Sequence, residues 1–390
     1  MKMSEKSPTT STSNSLNQFT FNESSTFPLE GAEIKDSPFI LIQGLSIAAG
    51  SFGQVYLTRN VKTNEICATK LVRKDNPNAK LRKEYDWYRI LGPLPGLPKI
   101  YHFGECGPYD AMVMELLGPN LEELMVTNNS RLNLRTTTQI AIMILEIIRS
   151  VHSKKIIFCN VKPENFCLGR PATPKANQVH MVGLINAKLF ETADSKHIPK
   201  ISTNNNEPKK FGVYGTPRYM SLHAHKGKEL SRRDDLESIG YMLLYFVHGK
   251  LPWQGLPVNN SSNTGNNDKY ENIFITKKMI HLDELCANLP PEYYHYMLYV
   301  RSLKFAQEPN YRYLITMFTK LLYRINMDQS RLVSPLTNDL AAITMDEQSS
   351  LNNKNESNNN KNKNHQTTID SSSSSSRKQV SFKIDHETLD

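Results

Sequence analysis

Residues 156–169 read IIFCNVKPENFCLG, and the reading of the whole chain turns on them. The second half has the wording of a loop built for chemistry. The centre, Phe158-Cys159-Asn160, does not: it offers no carboxylate or imidazole, and an amide is neutral and a very poor base. The rest of the sequence has to decide whether the chain performs a reaction or keeps only the shape of a protein that does.

At 390 residues and 38% hydrophobic content, the chain can bury a large core with polar tails to spare. The five cysteines form no C-x-x-C pair, so neither a disulfide framework nor a zinc site is expected. Residues 1–21 carry no apolar signal segment, and no apolar run approaches the roughly 18 residues of a membrane span. These features point to the cytoplasm or nucleus, without a membrane partner. The net charge of +9 is spread among 38 acidic residues, not gathered in a block, so no nucleic-acid partner is expected.

Three regions separate by composition. Residues 1–37 are rich in Ser, Thr and Asn, and residues 329–390 hold an Asn/Lys tract and a serine run. Neither can bury enough surface to offset chain entropy, and both are expected to be disordered. Between them, FILIQGLSI, GQVYLTRN and EICATKLVRK read as strands, with KTNE as a hairpin turn. LRKEYDWYRILG reads as a helix with its stripe on Leu81, Tyr85, Tyr88 and Leu91, and DAMVMELLG as a buried strand. Beyond Leu121 the periodicity is mostly helical, in TTTQIAIMILEIIRSVHSKK, SRRDDLESIGYMLLYFVHG and PEYYHYMLYVRSLKF. The insertion PVNNSSNTGNND (257–268) reads as a surface loop. A small β-rich lobe followed by a larger helical lobe is the implied α+β architecture.

AAGSFGQVY (48–56) lies between two of these strands, where a glycine-rich turn can bring backbone amides to phosphates; Gly50 and Gly53 are present, and Ala48 stands at the first glycine position. Lys70 follows on the next strand and Glu84 on the first helix, a spacing that allows an ion pair aiming an ammonium at phosphate oxygens.

The strings GSFGQVYL, MVMELLGPNLEEL, VKPENF, GTPRYMS, SRRDDLESIGYMLLYF and LPWQGL resemble, in order and wording, the casein kinase-1 family of protein kinases and its tau-tubulin kinase relatives. The resemblance covers about residues 38–328 and implies a bilobal kinase fold, with an N-lobe over about 38–116 and a C-lobe over about 117–328. It implies an ATP site in which Lys70 and Glu84 form the orienting pair, Met114 is the gatekeeper, Glu115 and Leu117 belong to the hinge, and Ile47, Val55 and Ala68 cover the base. Lys162 and Asn165 match the catalytic-loop lysine and a magnesium-holding asparagine, Asp235 the aspartate that braces the loop, and Arg218 and Gly255 positions near an anion-binding surface.

The departures fall on the chemistry. Asn160 stands where the family has the catalytic aspartate, a loss worth about 10² to 10⁴ in rate. Gly183 stands where it has the carboxylate that bridges magnesium to the phosphates. Glu164 and Asp194 lack the spacing to replace them. The expectation is therefore a casein kinase-1-like pseudokinase acting through protein contacts, able to hold ATP but not to hold magnesium productively. An unconventional serine/threonine kinase is the alternative. A third reading rests on the tail: Lys378-Gln379-Val380-Ser381-Phe382 resembles the basic-x-Val-x-Phe pattern that docks to protein phosphatase-1 by strand addition, with Val380 and Phe382 filling alternate pockets.

Overall fold

The computed structural model describes residues 29–42, 47–50, 53–76, 80–191, 215–256 and 265–328. The two expected tails, apart from 29–37, lie outside these residues, as do Asp194 and the tail residues Lys378, Val380 and Phe382.

The N-lobe is an antiparallel sheet of β1 (Phe39–Leu41), β2 (Ala48–Gly50), β3 (Gly53–Asn60), β4 (Ile66–Arg73), β5 (Ile100–Cys106) and β6 (Tyr109–Met114), with α1 (Leu81–Leu91) inserted between β4 and β5. Strand order is β1-β3-β4-β6-β5, and β2 pairs with β3. The β3–β4 hairpin closes where the KTNE wording placed it: Asn64 takes a left-handed φ of 58°, which asparagine tolerates better than most residues. One sheet face buries Phe39, Leu41, Tyr56, Leu71 and Val113. The other packs Ala68, Val72 and Met112 among Leu81, Tyr88 and Leu91 of α1.

The α1 stripe differs from its expected form at one place. Glu84 is buried and Tyr85 only partly so. Glu84 can lie inward because a lysine partner meets it there, while the Tyr85 ring packs 4.9 Å from Phe103. Strand β5 was missed in the sequence, where its residues alternate too weakly to stand out from the turn before it.

The C-lobe contains α2 (Leu121–Thr127), α3 (Leu134–Ser153), the short strands β7 (Ile156–Ile157), β8 (Phe166–Leu168), β9 (Val179–Met181) and β10 (Lys188–Leu189), then α4 (Leu222–His225), α5 (Arg232–His248), α6 (Gly265–Met279), α7 (Leu282–Leu285) and α8 (Pro291–Ser302), and a further helix, α9, over 311–328. Asn120 and Asn133 cap α2 and α3 by accepting from their first-turn amides. Helix α5 is buried nearly all round: its apolar half from Ile239 packs in the core, and Asp234, Asp235 and Glu237 of its first half are buried with hydrogen-bond partners. Gly240 lets α8 approach it, since a Cβ there would lie 2.3 Å from Met297 Sδ. The end of the expected surface loop at 257–268 is helical, because α6 already begins at Gly265. No helix among the described residues is long and apolar enough to cross a membrane.

Candidate functional site

Lys70 is presented by β4, where it pairs in register with Val55 of β3 and Met112 of β6. Its Nζ lies 2.6 Å from Glu84 Oε2, and the two side chains are 15% and 2% exposed. Gly53 opens β3, opposite Gly50 of β2. A Cβ there would lie 2.6 Å from the Leu71 carbonyl, and φ is 144°. Ala68 and Met114 are buried and Val55 partly so, whereas Ile47 is 43% exposed. Glu115 spends its amide on the Lys99 carbonyl at 2.8 Å and its carboxylate on Lys175 Nζ at 2.9 Å. The Leu117 peptide group makes no hydrogen bond to another described residue, which leaves it available to a ligand.

The stretch from Phe158 to Asn165 is held from beneath by α5. Asp235 accepts from the Phe158 amide at 2.7 Å and the Cys159 amide at 2.8 Å. Its Oδ2 also lies 3.0 Å from His152 Nε2, and His152 Nδ1 lies 2.6 Å from the Tyr311 hydroxyl. An imidazole that donates to the carboxylate through Nε2 accepts that hydroxyl at Nδ1, which ties α3, α5 and the start of α9 to the loop. The brace holds Cys159 at φ 60°, a conformation that costs a non-glycine residue of order 1–2 kcal/mol. Cys159 is no nucleophile: burial, then the Asp235 charge, push its thiol well above its usual range. Neither His152 nor Tyr311 was singled out from sequence, since only the fold brings positions so far apart together.

The hairpin of β8 and β9 pairs Phe166 with Met181, so Asn165 comes opposite Val182, whose amide donates to its carbonyl at 2.9 Å, and Gly183 follows beside it. Asn165 Nδ2 donates to the Asn160 carbonyl at 2.8 Å. Gly183 is left-handed (φ 80°, ψ 48°), and a Cβ built on it would lie 2.8 Å from Asn165 Oδ1. The amide oxygen thus lies in the space a side chain at 183 would need. Lys162, one turn before Asn165, is half-buried and pairs with no described carboxylate. Glu164 is exposed, and its charge is felt by Glu122 and Tyr245, on the side of α2 and α5.

Magnesium, which the resemblance implies, is tested by this donor set. It asks for near-octahedral oxygen ligands and ordinarily one or two carboxylates. Asn165 supplies one neutral oxygen, Asn160 and Gly183 supply no carboxylate, and the ion does not fit. Among the described residues the grouping of three potential metal ligands is elsewhere, at His223, Asp234 and Glu237. Its carboxylates are already used: Asp234 accepts from Ser221 Oγ at 2.6 Å and Glu237 from Tyr241 at 2.7 Å.

Next to the loop, the segment from Gly215 to Ser221 is held by an unanticipated residue. Lys277 of α6, fully buried, donates to the Pro217 and Met220 carbonyls at 2.7 and 2.8 Å and stands 3.1 Å from His225 Nε2. Arg218 stacks 5.2 Å over the Tyr245 ring and reaches the Tyr219 hydroxyl at 3.2 Å. Gly255, at φ 75°, turns the chain after Trp253, whose indole donates to the Arg218 carbonyl.

Two groups here give opposite pH dependences. Burial, then the Lys277 ammonium, push His225 down from 6.5 to about 3, so its contribution is present above pH 6.5 and lost as pH falls toward 3. Burial pushes Asp234 up from 3.8 to about 7, so its contribution is present below pH 3.8 and lost as pH rises through 7. The two slopes nearly cancel between about pH 5 and 7 in the wild type. On acidification over that range, His225→Gln is expected to gain about 2 kcal/mol relative to wild type and Asp234→Asn to lose about as much, read by urea denaturation at both pH values.

The protein kinase domain family matches residues 43–289. The chain is 40% identical over 286 residues to casein kinase I homolog 2 of Schizosaccharomyces pombe, covering 73% of this chain and 63% of that protein. It is 38% identical over 284 residues to casein kinase I homolog 1 of the same organism, covering 73% and 61%. To casein kinase I homolog 2 of Saccharomyces cerevisiae it is 35% identical over 309 residues, covering 78% and 54%. The chain therefore spans less than two thirds of the length of these relatives.

Proposed function

Because the chain belongs to the protein kinase domain family, with casein kinase I homologues among its relatives, we propose that it is a casein kinase I-like pseudokinase. Residues 38–328 form a protein-binding or scaffold domain, working in the cytoplasm or nucleus through contacts with other proteins. The domain holds ATP between the hinge and Lys70 but does not transfer its phosphate efficiently. One observation carries this reading. Within a braced kinase frame, the position of the proton acceptor is Asn160, and the position of the metal-bridging carboxylate is Gly183, whose side-chain space Asn165 occupies. Proton transfer contributes about 10² to 10⁴ in rate and metal neutralisation several kcal/mol more. Comparing ATP turnover with that of Lys70→Met tests the reading, and turnover equal to that control supports it.

An unconventional serine/threonine kinase is the second reading, favoured by the closed Lys70–Glu84 pair and the intact Asp235 brace. It predicts turnover well above the Lys70→Met control.

The tail supports a third, compatible role: recruitment of protein phosphatase-1 through Lys378, Val380 and Phe382. An extended segment adds to a partner's sheet edge and places alternate side chains in pockets. The double variant Val380→Ala, Phe382→Ala is expected to lose more than about 90% of the phosphatase retained by the wild-type chain in a pull-down with purified catalytic subunit, because both anchors go at once. Retention at the wild-type level removes this role.

A further inference from the structure

We propose that the cleft carrying Lys70 and Lys162 takes a nucleoside triphosphate as the metal-free anion, and that magnesium weakens this binding. The inference rests on the reading of the cleft as a nucleotide site and concerns the form of the ligand. Its basis is the charge inventory. Lys70 has one partner, Glu84, and Lys162 has none among the described residues. Positions 160 and 183 are uncharged, and Glu164 is exposed to solvent. Helix α1, which carries Glu84, packs on the turn Leu184–Asn186 that Gly183 begins, so the uncharged corner adjoins the ion pair.

In a site lined by carboxylates a divalent cation screens the phosphates from those negative charges. Here positions 160 and 183 carry no carboxylate and Glu84 is already paired with Lys70, so little repulsion is left for the cation to offset. A free triphosphate meets two ammonium groups with its full charge. A magnesium-bound triphosphate arrives half neutralised, and its ion, which dehydrates reluctantly, finds one amide oxygen already directed at Gly183. The cation thus removes attraction and gains no ligand set in return.

The test is calorimetric titration of the full chain with ATP, once in EDTA and once in excess magnesium chloride. Affinity in EDTA is expected to exceed that in magnesium by about tenfold or more. Lys162→Met should lower the EDTA affinity by about tenfold, and Lys162→Arg, which keeps the charge, should largely retain it. Thermal melting of both variants separates lost binding from lost folding. Equal affinities, tighter binding in magnesium, or no binding in either buffer would overturn the inference while leaving the absence of phosphoryl transfer standing. Magnesium-stimulated turnover would instead overturn the pseudokinase reading on which it rests.

Discussion

The double variant Asn160→Asp, Gly183→Asp is expected to transfer phosphate from ATP to casein at least about 10²-fold faster than the wild type, and only when magnesium is supplied. The frame such chemistry needs is already assembled: the ion pair is closed at 2.6 Å and the loop is braced by Asp235. The two substitutions should not behave alike. Asn160→Asp changes one isosteric side chain that leaves its own carbonyl bonded to Asn165. Gly183→Asp introduces a Cβ 2.8 Å from Asn165 Oδ1 at φ 80°. The Asn165 side chain must swing away and the new residue must accept a left-handed backbone, at a combined cost of about 1–2 kcal/mol. Chemical denaturation of the single variants should therefore find Asn160→Asp near wild type and Gly183→Asp less stable. A double variant that folds but gains no magnesium-dependent activity would mean that other residues also block the reaction.

Asp235→Ala is expected to be the most damaging single change to the fold, costing about 4 kcal/mol or more and lowering the melting temperature by roughly 10 °C. Its carboxylate is buried and accepts from two backbone amides and from His152. Removing it orphans three buried donors, each worth about 1–3 kcal/mol, and takes away the bonds that offset the strain at Cys159. Asp235→Asn is the sharper comparison. Both carboxylate oxygens accept hydrogen bonds, so an amide must turn its NH₂ toward a donor, and most of the loss should remain although volume is unchanged. Recovery of near-wild-type stability in Asp235→Asn would show that packing, not acceptance, is what the residue supplies.

Much of this was legible in the chain itself, for reasons that differ from residue to residue. Lys70 and Glu84 could be paired from spacing because a strand and the following helix have few ways to pack. Asn160 and Gly183 could be named because the wording on either side of them is long and specific. The strands β3 and β4 and helices α3 and α5 announced themselves by period. What sequence left hidden depends on contacts between distant positions. Lys277 looks like one of many surface lysines until α6 delivers it beneath Pro217 and Met220. The Tyr311–His152–Asp235 chain joins three helices and has no local signal. The closeness of Asn165 to Gly183 is likewise a matter of packing, invisible in a list of residue types.

The most direct test of the central claim is phosphate incorporation from labelled ATP with magnesium present, into casein and into the chain itself, by wild type and by Lys70→Met side by side. Both are expected to give the same background signal. Incorporation by the wild type that Lys70→Met abolishes would contradict the claim, and would make the chain an unconventional kinase that works without the carboxylates its relatives' wording leads one to expect.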